Sequence, residues 1–194
     1  MTVTLRRARP EEAAALGDIG FAAWAASEFA VNDAGRVDQA MLHAEFCAFG
    51  ETSASTMLVA EAEGVPLGWG AREDRDQHIS DLWVAPAAQG RGIGGLLLEA
   101  LVDEVRAEQY PVVELETLAS HERAIAFYQR HGFSIAWRAE KFSASLGYAI
   151  DKVGMNKSLS PGPLSIRARR TPRASSRGPR VTGKSSSAWK CMPR

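Results

Sequence analysis

The chain has 194 residues, 45% hydrophobic and 24% charged, which is enough apolar side chain for one buried core and ordinary for a domain in water. Its net charge of zero hides a split: residues 1–160 hold 14 basic against 23 acidic side chains, and residues 161–194 hold nine basic and no acidic ones. No apolar run follows the first arginines as in a signal peptide, and no stretch reaches the ~18 apolar residues of a membrane span, so a cytoplasmic, membrane-free protein is expected.

Val3 to Arg6 alternates like a short strand, and Pro10-Glu11-Glu12 opens a helix that runs through Leu16, Ile19 and Trp24 to about Glu28. Asn32 to Gly35 breaks it. Val37, Met41, Leu42, Phe46 and Phe49 then recur at helical spacing as far as Gly50. The two cysteines, Cys47 and Cys191, are too few for a disulfide framework and are read as lacking CxxC or Cys/His ligand spacing. Cys47 reads as a small buried hydrophobe, and no metal is expected.

From residue 56 the period changes. Thr56–Glu61, Leu67–Ala71 and His78–Val84 read as three strands of an antiparallel meander, with a turn at residues 63–66 and a stop at Pro86. A helix from Ile93 to about Gln109 presents Leu96, Leu97, Ala100, Leu101 and Val105 on one face. Val112–Glu116 is a strand of the buried type. The strand, helix, strand order from Leu82 to Leu115 is one crossover, so those two strands should run parallel. A last helix covers His121 to Arg130, with Gly132 just past its end, and strands at 133–138 and 148–156 close the domain. The expected fold is α/β (α+β), a mixed and mostly antiparallel sheet flanked by helices. It should occupy residues 1–158. Residues 159–194, rich in Arg, Ser, Pro and Gly, read as a basic disordered tail.

The most informative segment is Gln89-Gly90-Arg91-Gly92-Ile93-Gly94-Gly95, which follows a strand and opens a helix. Glycines bring backbone N–H groups close to an anion, the first helical turn adds unpaired donors, and Arg91 adds charge. The spacing suits a phosphate or pyrophosphate. Gly90, Gly92 and Gly95 also fit the dinucleotide pattern G-x-G-x-x-G, with Glu114 or Glu116 about 20 residues on. Context disfavours that ligand, because five residues including Pro86 separate Val84 from Gly90 and the preceding strands form a meander.

Three blocks together resemble the GCN5-related N-acetyltransferase family. The glycine loop is similar to its Q/R-x-x-G-x-G/A signature, Leu82-Trp83-Val84-Ala85-Pro86 to the strand before it, and Ala124-Ile125-Ala126-Phe127-Tyr128-Gln129-Arg130-His131-Gly132-Phe133 to its A-x-x-F-Y-x-x-x-G-F helix. The resemblance implies an acyl-CoA transferase fold whose two central parallel strands splay apart, and direct transfer of acetyl from acetyl-CoA to a primary amine. It implies that backbone groups of Leu82, Trp83 and Val84 pair with the pantetheine arm. N–H groups of Gln89, Gly90, Arg91, Gly92, Ile93 and Gly94 would hold the pyrophosphate. His121 stands where relatives often carry an Asn that touches pantetheine, and imidazole can donate a similar bond.

Amine acetylation needs a neutral amine, an oxyanion donor and a proton for the leaving thiolate. An alkylamine of pKa ~10.4 is neutral about once in 2,500 molecules at pH 7, so a base is worth ~4.6 kcal/mol. Asp81 and His78, on the central strand, are both candidates; either could equally be structural. A strand N–H of Leu82 or Trp83 would meet the oxyanion, and the Tyr128 hydroxyl would protonate the thiolate. Trp24, Glu28 and Phe29, with Asp33, are candidates for the acceptor, Glu28 and Asp33 by charge and the aromatics by packing on a cation. The same aromatics are also at core spacing. The expected partner is a small-molecule or peptide amine. A homodimer is compatible with the sequence, and nucleic acid enters only through the tail, where Trp189 is the one aromatic. An acetyl-CoA-binding regulatory module without turnover is the competing reading.

Overall fold

The computed structural model describes residues 2–27, 29–30, 36–72, 76–143 and 146–159. Residues 160–194 of the expected tail, Glu28 and Asp33 lie outside the described residues, whereas Leu159 is buried, its N–H bonded to Pro111 O at 2.9 Å. In chain order the elements are Thr4–Arg7 (β1), Ala13–Ala25 (α1), Gln39–Ser53 (α2), Met57–Ala62 (β2), Val65–Ala71 (β3), His78–Ile79 (β4), Asp81–Val84 (β5), Ile93–Ala107 (α3), Val112–Leu118 (β6), Glu122–Arg130 (α4), Ser134–Ser143 (β7) and Tyr148–Ser158 (β8). The strands form two four-stranded sheets, ordered β1-β2-β3-β5 and β4-β6-β8-β7. All pairings are antiparallel except β4 with β6. This is the mixed, mostly antiparallel α/β architecture expected.

Local chemistry explains the boundaries that moved. Pro10–Glu12 is a 3-10 turn, so α1 itself begins at Ala13. At its far end Ser27 Oγ accepts the Ala30 N–H at 3.2 Å, an arrangement that competes with helical bonding. Asp38 caps α2, its carboxylate accepting the N–H groups of Ala40 and Met41 at 3.0 Å each. Glu63 and Gly64 have φ of 52° and 79° and close a two-residue hairpin, which leaves Pro66 inside β3 rather than in the turn. Proline is tolerated there because the register shifts between Ala60 and Glu61 opposite it.

Two cores sit on either side of the strands. One joins α3 and α4 to Leu82, Val84, Leu115 and Met155; the other joins α1 and α2 to Trp69, Trp83, Leu118 and Ile150. The buried stripe of α3 is Ile93, Leu97, Leu98, Leu101, Val102 and Val105, whereas Leu96, expected inside, is 43% exposed. At ~1.5–3 kcal/mol for each buried aliphatic side chain, this stripe alone accounts for much of the hold of α3 on the sheet. Trp69 donates its indole N–H to Leu16 O at 2.8 Å, which fixes α1 over β3. Lys152, only 3% exposed, is neutralised by Glu116 at 3.2 Å, and Lys141 reaches the same carboxylate at 2.6 Å, so one acid ties β6, β7 and β8.

Candidate active site

The segment read as one strand, His78 to Val84, is two. Ser80 N–H donates to Ala71 O at 2.9 Å while Asp81 is the register partner of the same Ala71, so two residues oppose one. This is a β-bulge. Its effect is a change of parity: Ile79 packs in the α3/α4 core, Leu82 and Val84 do too, and the odd-numbered Asp81 is turned to the other face with Trp83. The bulge also splits the sheet. His78 and Ile79 pair with Glu114 and Leu115 of β6, and beyond them β5 follows β3 instead. The expected parallel pair is therefore hydrogen-bonded only at its start, and β5 and β6 part from Asp81 onward.

That parting leaves one edge of β5 outside any ladder. The N–H of Ala85 bonds to Leu67 O at 2.9 Å, which sets the alternation. Counting back by twos, Trp83 faces β3 with its backbone, whereas Leu82 and Val84 direct theirs to the open edge. This corrects the expectation for Trp83, whose backbone groups are taken up by β3. Val84 O accepts from the side-chain nitrogen of Gln89 at 3.0 Å, so Gln89 ties the strand end to the loop.

The loop has the backbone its glycines suggested. Gly90 and Gly92 have φ of 72° and 80°, a region costly for L side chains, and a Cβ at either would touch nothing within 4 Å. Gly92 is the N-cap of α3, whose first backbone bond runs from Leu96 N–H to Gly92 O at 3.1 Å. The amides of Ile93, Gly94 and Gly95 thus precede Leu96, the first donor of the intrahelical ladder, and point out of the helix start, beside the exposed Arg91. At Gly95 a Cβ would lie 3.1 Å from Nε2 of His131, so α3 and the end of α4 pack in contact there. His131 donates from Nδ1 to Phe127 O at 2.9 Å.

The candidate side chains lie on both sides of the parting. Tyr128 has no exposed surface; its ring meets Phe127 at 5.2 Å and Phe133 at 5.9 Å in the α3/α4 core. Asp81, 5% exposed, accepts the Trp83 indole N–H at 3.2 Å on the α1/α2 side. His78 is half-buried on β4, its N–H bonded to the Asp76 carboxylate at 2.7 Å, where β4 and β6 are still joined. His121, 8% exposed, occupies the N-cap of α4 after β6.

Trp24 is fully buried among Leu16, Phe46 and Trp83, the core alternative its spacing left open, and Phe29 is half-buried at the margin of that cluster. Sequence reasoning missed Tyr148 and Arg36 on the same side: the guanidinium lies 4.1 Å from the Tyr148 ring centre. No local pattern marks that pair. It also missed that His43 and Cys47 are four residues apart on α2, which is a ligand spacing on a helix. A separate concavity of 340 Å³ lies among Arg7, Ser55, Thr56, Arg72, Glu104 and Glu108. Its arginines pair with its glutamates, Arg7 with Glu104 and Arg72 with Glu108, both at 2.7 Å, so it presents no excess charge to a ligand.

A model of the acetyltransferase (GNAT) family matches residues 21–133, more than half of the chain, including β5, the glycine loop, His121 and Tyr128. The chain belongs to the GNAT family. That family uses acetyl-CoA. Among GNAT relatives, the peptidyl-lysine N-acetyltransferase YjaB of Escherichia coli (strain K12) is 27% identical over 150 residues, 72% of this chain and 88% of the relative. The IAA acetyltransferase of Azospirillum brasilense is 36% identical over 81 residues, 40% of this chain, and the match spans only 53% of that relative. A crystal structure of a GCN5-related N-acetyltransferase from Rhodopseudomonas palustris superposes with a TM-score of 0.66 at 25% identity, covering 82% of this chain and 97% of that one. No helix among the described residues is long and apolar enough to cross a membrane.

Proposed function

We propose that this GNAT protein transfers the acetyl group of acetyl-CoA directly to a primary amine. The observation that carries the reading is the open edge of β5, which ends at a loop and helix start rich in outward-pointing amides. An extended pantetheine arm can add to the edge through Leu82 and Val84, and the diphosphate then meets the N–H groups from Gly90 to Gly94. His121, three residues past the end of β6 at the N-cap of α4, would offer an imidazole N–H to the arm.

The thioester would lie where β5 and β6 part, between Asp81 on one face and Tyr128 on the other. The amine enters from the α1/α2 side, and Asp81 takes its proton, directly or through water. Asp81 is favoured over His78, which sits where the strands are still closed. The amine nitrogen bonds to the thioester carbon, and the oxyanion so formed accepts from Leu82 N–H, the donor that strand alternation leaves on the open edge. The C–S bond then breaks, and the Tyr128 hydroxyl gives its proton to the departing thiolate. Phe29, Arg36 and Tyr148 would flank the acceptor side.

The test is a panel of amines with acetyl-CoA, following free CoA thiol. A peptide lysine, prompted by the YjaB likeness, belongs beside amino acids and polyamines. An acetyl-CoA-binding module without turnover predicts no CoA release with any of them. Asp81→Asn should cut kcat by about 10²-fold. His78→Gln should leave kcat within a fewfold of the parent; the reverse pattern transfers the base to His78. Deleting residues 161–194 is expected to leave acetylation unchanged, since every residue proposed for the site precedes them in the chain, and a loss of rate in the truncated chain contradicts that reading.

A further inference from the structure

Three chemically different ligand groups meet on the outer face of the α1/α2 pair. His43 and Cys47, one turn apart, share a face of α2, and Asp18 reaches them from α1. His43 Nε2 lies 2.7 Å from Asp18 Oδ1, and Cys47 Sγ lies 3.9 Å from the same nitrogen. All three ligand atoms fall within 4.8 Å of one another. The helices are held in near contact there: a Cβ at Gly17 would come within 2.7 Å of the Cys47 sulfur and 2.8 Å of its Cα. Only glycine admits that approach. The His43 ring is braced by Phe21, with centroids 4.9 Å apart. The cluster opens to solvent, as the side chains of His43 and Asp18 are 41% and 67% exposed.

A Cys-His-Asp relay does not fit this geometry. Carboxylate and thiol address the same ring nitrogen, so the imidazole cannot pass a proton from one to the other. A shared metal does fit. Zn²⁺ binds N, O and S ligands at about 2.0–2.3 Å, which places ligand atoms about 3.3–3.7 Å apart. The distances of 2.7 and 3.9 Å lie on either side of that spacing and the third pair is within 4.8 Å, so rotation of the two exposed side chains, Asp18 and His43, is what closes the site. Mixed nitrogen, sulfur and oxygen donors select Zn²⁺ over Mg²⁺ or Ca²⁺, which take oxygen.

We propose that Asp18, His43 and Cys47 form a Zn²⁺ site with water in the fourth position, clasping α1 to α2 on the side away from the strands. Binding converts the thiol to zinc-bound thiolate with release of one proton. Burial pushes the free Cys47 thiol up, and the Asp18 and Glu51 carboxylates push it further, the same negative field that favours a dication.

The probe is Co²⁺ as a spectroscopic substitute, added to the full chain carrying Cys191→Ser so that Cys47 is the one thiol. The expected result is one Co²⁺ per chain, tetrahedral d–d bands and a thiolate charge-transfer band, all abolished by one equivalent of Zn²⁺. Cys47→Ser should remove the charge-transfer band, and His43→Gln or Asp18→Asn should weaken binding at least tenfold. Zn²⁺ should raise Tm in the Cys191→Ser chain and not in its Cys47→Ser derivative. Folded protein without a thiolate band, or a band that survives His43→Gln at full affinity, overturns the site and leaves a surface ion pair beside a bystander thiol. None of these readouts depends on acetylation.

Discussion

Tyr128→Phe is expected to lower kcat for acetyl transfer by about 10²-fold or more while leaving the affinity for acetyl-CoA within about twofold. The loss corresponds to ~2.7 kcal/mol in the transition state. Its origin is the leaving group. A thiol of pKa ~8.5 leaves poorly as the free anion, and a phenol of pKa ~10 can supply the proton at a net uphill cost of roughly 2 kcal/mol, which collapse of the tetrahedral intermediate to the amide offsets. The substitution is clean because the ring carries the packing: Phe127 and Phe133 contact the aromatic edge and face, and these contacts survive removal of the oxygen. Stability should therefore change by less than about 1 kcal/mol. Steady-state kinetics beside calorimetric titration with acetyl-CoA separates the outcomes. An unchanged kcat removes the tyrosine from the reaction, and parallel losses in kcat and affinity make it a wall of the binding site instead.

The elements with a clear period were legible in the sequence, and the features that create the site were less so. The 3.6-residue stripe along Ile93 to Val105 announces α3, yet exposed Leu96 shows that which side of the stripe is buried depends on the sheet beneath. Gly90 and Gly92 were readable as a loop needing positive φ, because few residues other than glycine serve that need. The bulge at Ser80 was not readable. His78 to Val84 has strand composition throughout, and a bulge is specified by how Ala71 on the neighbouring strand is shared, a pairing that local composition does not encode. The whole disposition of Asp81 follows from that one residue. The same blindness hid the Asp18, His43 and Cys47 cluster. His43 and Cys47 have a visible spacing, but Asp18 is 25 residues from His43, and only the helix crossing at Gly17 brings them together. The burial of Trp24 was an open choice for a related reason, since a tryptophan at helical spacing lines a core or a pocket with equal ease.

Converting both Gly90 and Gly92 to alanine should weaken acetyl-CoA binding by about 10- to 100-fold, or roughly 1.4–2.7 kcal/mol, with a smaller effect on kcat at saturation. Neither alanine meets a steric neighbour, since a Cβ at either position has nothing within 4 Å. The penalty is conformational: holding φ near 72° and 80° costs an L residue about 1–2 kcal/mol, and the chain relieves it by rotating those peptides. Rotation turns away the amides that converge on the start of α3, while the buried stripe from Leu97 to Val105 still anchors the helix. The fold survives and the anion cradle does not. The decisive comparison is between acetyl-CoA and a short acetyl thioester that lacks the diphosphate. If the loop grips the diphosphate, the double variant loses its efficiency for acetyl-CoA and keeps it for the short thioester, because the remaining contacts along β5 and at Tyr128 are untouched. Equal losses on both would mean that the glycines shape the reaction centre instead, and tight binding of a nicotinamide dinucleotide by the parent chain would give the cradle to another ligand.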